Sequence, residues 1–178
     1  MTTLSVYQCD HPQLPNKTLN HTVDIVSTLH SAGIVYQQLS LPARLRPGCD
    51  EAQLSEVSSW LEAFAAEQQL RVITWLKADR QHPLGDTLGA TYREEQRLQG
   101  RSLWLVLGGY LQLNVHQDDQ VFQLRLEAGD CVEVSAAQPH WLDLGQEPHV
   151  LAVQLRGDEK AAEPTHSHLA AQFPGLDD

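Results

Sequence analysis

Apolar and polar positions change rhythm along the chain, with helical and mixed spacing before about residue 91 and closely spaced alternation after it. Residues 3–8 (TLSVYQ) alternate and predict a strand, ended by the turn chemistry of His11-Pro12 to Pro15-Asn16. From Asp24 to Ala32 apolar residues recur at helical spacing and stop at Gly33, which predicts a helix with a glycine stop. Alternation returns over Ile34–Leu41, and a proline-rich loop follows from Pro42 to Gly48. Asp50 then stands where it would cap the most strongly patterned helix. Leu54, Val57, Trp60, Leu61, Phe64 and Ala65 share one stripe over Asp50–Gln69, and that stripe must pack against another layer. Val72–Leu76 predicts a short strand, and Asp79–Gly89 a stretch broken by proline and glycine.

Beyond Thr91 the chain predicts strands at Ser102–Leu107, Tyr110–Val115, Val121–Leu126, Cys131–Ser135 and Val150–Leu155. The runs between them, such as Gly108-Gly109 and Ala128-Gly129-Asp130, are short and turn-forming. Short strands at this spacing imply a sandwich or barrel. The stretch from Gly157 to His168 is polar and aperiodic and is expected to be loosely ordered.

Composition narrows the partners. With 178 residues the chain is of a size for one domain and buries a substantial core. Its net charge of −11, from 23 acidic and 12 basic residues, argues against nucleic acid or an anionic membrane surface as a partner. A small-molecule ligand or another protein remains; monomer and homodimer are both open. Cys9, Cys49 and Cys131 are odd in number and widely spaced, so neither a disulfide framework nor a structural zinc site is indicated. Nothing reads as a leader or a membrane span, and a cytoplasmic location is expected.

One barrel motif is visible in the residues. Gly129-Asp-Cys-Val-Glu-Val-Ser135-Ala136-Ala137-Gln138-Pro139-His140 follows the second cupin motif, G-x5-P-x-G-x2-H, with serine at the proline position and alanine at the inner glycine. The surrounding run from Val121 to His149, the PHWLDLG segment above all, resembles the acireductone dioxygenases. The early runs LSVYQ and LPNKTLNHTVDIVSTLHSAGI and the late FPGLDD are similar to that family too, so the resemblance spans the chain. It implies a mainly β protein with two or three helices: a cupin jelly-roll β-barrel with the N-terminal helices packed outside it. Residues 1–178 are expected to form one domain, with strands and helices in 1–90, the barrel motifs in 91–156 and a polar tail in 157–178.

Members of that family act in methionine salvage, using iron or nickel to cleave an acireductone with dioxygen. The chemistry needs three imidazoles and a carboxylate around a metal with open positions. Anchored at Gly109, the first cupin motif places the family's ligand positions on Gln96, Leu98 and Ser102, with His140 as the fourth. Only His140 is a plausible ligand: leucine has no lone pair, serine is a poor neutral ligand, and a glutamine carbonyl is a weak donor for iron or nickel. Trp104 stands where the family has an arginine close to the site, so the mouth is expected to be less polar and less charged.

The residues near that mouth have two readings each. His140 is a ligand or base, or a histidine kept by packing; Trp104 and Trp141 flank a ligand or fill core. A metal site rebuilt from His116, His149, Glu94, Glu95 or the tail pair His166 and His168 is not expected: His116 reads at the solvent end of a strand and His149 in the turn before the last one, neither with ligand spacing to His140, and tail histidines are usually solvated. Cys131 is expected in the core rather than as a nucleophile.

Three functions remain in view. The first, and the expected one, is a metal-free homologue with absent or trace dioxygenase activity. It would serve as a small-molecule-binding or regulatory protein near methionine salvage, with His140, Trp141, Trp104, Gln96 and Ser102 lining the barrel mouth. The second is a dioxygenase using iron(2+) or nickel(2+) at an unconventional site. The third is a protein that pairs with an active paralogue.

Overall fold

The computed structural model describes residues 1–178. Its strands are β1 (Thr3–Gln8), β2 (Lys17–Leu19), β3 (Val35–Gln38), β4 (Arg71–Ala78), β5 (Gln96–Arg97), β6 (Ser102–Gln117), β7 (Gln120–Glu127), β8 (Asp130–Val134), β9 (His140–Asp143), β10 (Val150–Arg156) and β11 (Glu163–Pro164). Its helices are α1 (Thr22–Ser31), α2 (Glu51–Glu67) and α3 (Asp86–Arg93), with a 3-10 turn at Ala170–Gln172.

The patterned helices form where their sequence requires. α1 ends at Gly33 with φ +76°, and the Gly33 N–H bonds to His30 O, so the glycine stop is a left-handed cap. α2 opens with a capping box, in which the Asp50 carboxylate accepts from Gln53 N while the Gln53 side chain accepts from Asp50 N.

Two antiparallel sheets share β6. In one, the order is β11-β5-β9-β6-β7-β1-β2; in the other, β6 pairs with β8 and β10, which pair in turn with β3 and β4. The sequence predicts two strands broken at Gly108-Gly109, but the chain runs through as one long strand that passes from sheet to sheet there. Glycine is needed for close approach rather than for a turn. A Cβ on Gly109, at φ +67°, would lie 2.0 Å from His149 O, and one on Gly108 would lie 2.5 Å from Leu45 O.

Period-two alternation on β6 sorts its side chains between two cores. Trp104 and Val106 join the interior cluster with Leu113, Leu124, Val132, Leu142 and Ala152. Leu103, Leu105 and Leu107 turn outward with Leu151, Val153 and Leu155, where the stripe of α2 (Val57, Leu61, Phe64, Ala65) covers them. α2 therefore packs outside the barrel, whereas Ile25 and Leu29 of α1 complete the interior cluster.

Three further elements depart from the sequence expectation. α3 begins inside the stretch Asp79–Gly89 expected to be broken by proline and glycine and runs past it to Arg93; none of its residues is buried, so no apolar stripe announces it. β9 pairs with β6 although PHWLDLG carries no alternation. The tail is not free-running: β11 pairs with β5, and Thr165 N donates to Glu95 O at 3.0 Å.

Candidate functional site: the mouth of the barrel

Strand register brings the motif positions to one end of the interior. Ser102 lies opposite Val134 on β8 and Arg156 on β10, and Trp104 lies opposite Val132 and Gln154. Val132, Val134 and Trp104 belong to the interior cluster, so Ser102, Gln154 and Arg156 face inward with them. On the other sheet His140 lies between Val115 on β6 and Gln96 on β5, and Val115 is also interior. Gln96, Ser102, Trp104 and His140 are thus gathered on the inner wall.

This wall is closed and its polar groups are unevenly satisfied. Ser102, Trp104, Leu98 and His140 are all buried, and none lines the principal surface clefts. The Ser102 hydroxyl and the Trp104 indole N–H have no hydrogen-bond partner. Leaving a buried donor unmet costs roughly 1–3 kcal/mol. His140 places Nδ1 2.9 Å from Gln138 O; a carbonyl only accepts, so Nδ1 carries the hydrogen. Burial holds the His140 pKa below its ordinary 6.5 and the nearby Arg156 charge pushes the same way, against the Gln138 carbonyl and Glu95. The imidazole is neutral, with Nε2 as a lone-pair acceptor. Tyr92 of α3 sets its ring edge-on to Trp104, centroids 6.1 Å apart at 76°.

Beside the mouth, Glu95 is buried and fully engaged. Its Oε2 lies 2.9 Å from His116 Nδ1, and its Oε1 accepts from Thr165 Oγ1 at 2.6 Å. His116 was expected at the solvent end of a strand; it is instead within β6, half-buried against this carboxylate. The same two bonds and the Glu95 carbonyl pin the tail across β5.

Other candidates fall elsewhere. Trp141 follows His140 on a strand and so turns to the opposite face, where it packs on Phe173 with centroids 6.0 Å apart and on Tyr7. His149, His166 and His168 are exposed. Cys131 is in the outer core under α2, its thiol pushed up to about 12 by burial, then by Glu133 and Asp130. Arg156 and Gln154 are the inward residues that motif spacing does not reveal. Their signal is alternation in VLAVQLR, where Val150 and Ala152 are interior and Gln154 and Arg156 continue in phase. Arg156 thus supplies an inward cation from another strand.

Iron or nickel does not suit this donor set. Leu98 has nothing to donate, Ser102 and Gln96 offer neutral oxygens, and the single imidazole is joined by an inward guanidinium that repels a cation. No group of three or more His, Cys, Asp or Glu side chains stands in an arrangement that could hold a metal ion. No helix is long and apolar enough to cross a membrane.

Comparison with known proteins places these features in context. The chain is 30% identical over 181 residues to an acireductone dioxygenase of Pseudomonas fluorescens strain Pf-5, covering 100% of both. It is 29% identical, with the same coverage, to that of Pseudomonas syringae pv. syringae. No protein-family model matches the chain. Among solved structures, an acireductone dioxygenase from Bacillus anthracis with a cadmium ion in its active centre superposes with a TM-score of 0.72 at 16% identity, over 89% of this chain and 94% of that one.

Proposed function

The chain belongs to the acireductone dioxygenase family, and from that premise we propose that it is a metal-free member without the dioxygenase reaction, its barrel kept for binding a small molecule near methionine salvage. The observation that carries this is the inner wall itself. Gln96, Leu98 and Ser102 stand at the motif positions beside His140, and the one cation-attracting carboxylate nearby, Glu95, is spent on His116 and Thr165. A first shell of three imidazoles and one carboxylate has no counterpart here.

A dioxygenase with an unconventional site has one observation in its favour: the Glu95 charge is close enough to act on His140, with His116 next to it. The Arg156 charge acts on His140 in the opposite sense. The experiment is turnover of freshly generated acireductone under dioxygen, with iron(2+) or nickel(2+) added, beside an active relative. We expect the loss of substrate to match the rate without protein; metal-dependent turnover abolished by His140→Ala would favour the unconventional enzyme.

A further inference from the structure

We propose that the barrel mouth binds a small carboxylate, held by the Arg156 guanidinium together with the Ser102 hydroxyl and the Trp104 indole N–H. The inference rests on the metal-free proposal above, because it assigns to an anion the end of the barrel at which the family's metal would sit.

Two donors with no acceptor, both essentially inaccessible, stand at neighbouring inward positions of one strand. Their summed cost is large beside the stability of a domain, unless an acceptor oxygen comes to them. Arg156 is directly across from Ser102, and its side chain is only 11% exposed. Its Nη2 donates to Lys160 O and lies 3.5 Å from Asp158 Oδ1, which leaves Nε and Nη1 without a partner. No carboxylate faces inward from the cross-strand neighbours: these are Val132, Val134, Gln154, Gln96 and Val115. Glu95, the acid whose charge reaches His140, has both oxygens engaged. An arriving anion therefore meets a guanidinium with two free donor nitrogens, two unspent donors and a neutral imidazole, with Asp158 against the far nitrogen of the guanidinium and Glu95 already hydrogen-bonded. A planar carboxylate matches an arginine fork better than a neutral carbonyl does.

Entry requires α3 to move: Tyr92 packs on the interior cluster with its ring edge-on to Trp104 and Arg93 donates to Gly145 O, while no residue of the helix is fully buried.

The probe is glycolate, with its neutral isostere glycolamide as control, added to the full-length protein after the metal content of the same batch has been measured. The four tryptophans give four indole N–H signals, and Trp104→Phe identifies the relevant one. Glycolate is expected to move the Trp104 signal saturably, and glycolamide to leave it in place. Arg156→Gln should weaken binding by at least about tenfold, the usual loss for a hydrogen bond to a charged group, whereas Arg156→Lys keeps part of it. A Trp104 signal that glycolate leaves unmoved in metal-free protein overturns the inference, as does binding of equal strength in Arg156→Gln. Metal near one equivalent in the starting batch would instead overturn the metal-free proposal, on a separate readout.

Discussion

Ala137 sits at the inner-glycine position of the second cupin motif with φ +61°, a conformation that L side chains adopt at a cost of roughly 1–2 kcal/mol. Ala137→Gly is expected to stabilise the protein by about 0.5–1 kcal/mol after the added entropy of glycine, measured by urea unfolding. At His140 the sign of the pH effect follows from burial. The folded state keeps the imidazole neutral below 6.5, where the unfolded chain takes up a proton, so the unfolded state binds more protons there and stability falls as pH drops below about 6.5. His140→Gln should flatten that part of the stability profile and leave the region above it unchanged. The residues at the motif positions were legible because the family resemblance carries a motif whose spacing falls on them. Arg156 was not, since its role depends on which face of β10 is inward, and Trp141 was misplaced because no strand was expected at residues 140–143. Arg156 also sharpens a rescue experiment. Gln96→His, Leu98→His and Ser102→Glu together should restore iron or nickel binding, and adding Arg156→Gln should strengthen it, because the guanidinium opposite would otherwise pair with the new carboxylate.

Elements with an apolar stripe or strict alternation were readable, and those without were not. α2 follows from its stripe and its cap; Asp50→Ala should lower stability by about 1 kcal/mol in thermal or denaturant unfolding. α3 carries no buried residue, and β5 and β11 are two residues each, defined by their partners rather than their own pattern. The pairing of those two strands depends on Glu95. Glu95→Ala takes the carboxylate from the half-buried His116 and from the Thr165 hydroxyl while keeping the backbone bond to Thr165 N, so a loss of about 1–3 kcal/mol is expected. Hydrogen exchange should quicken at Thr165 more than in α2; equal protection in the variant would mean that the tail is held by other contacts.

Across the whole molecule, the scaffold is the family's, and the metal-free proposal confines the change to its mouth. The interior cluster, the bend of β6 through Gly108-Gly109 and the layer of α2 keep the family's barrel, and the relatives match it from end to end. The proposal rests on a few buried side chains at one end: Ser102 and Trp104 facing inward, Arg156 across from Ser102, and the buried Leu98. Metal analysis of protein produced with iron and nickel in excess tests the central claim most directly. The account predicts transition metal far below one equivalent, unchanged by His140→Ala; iron or nickel near one equivalent, lost in that variant, would contradict it.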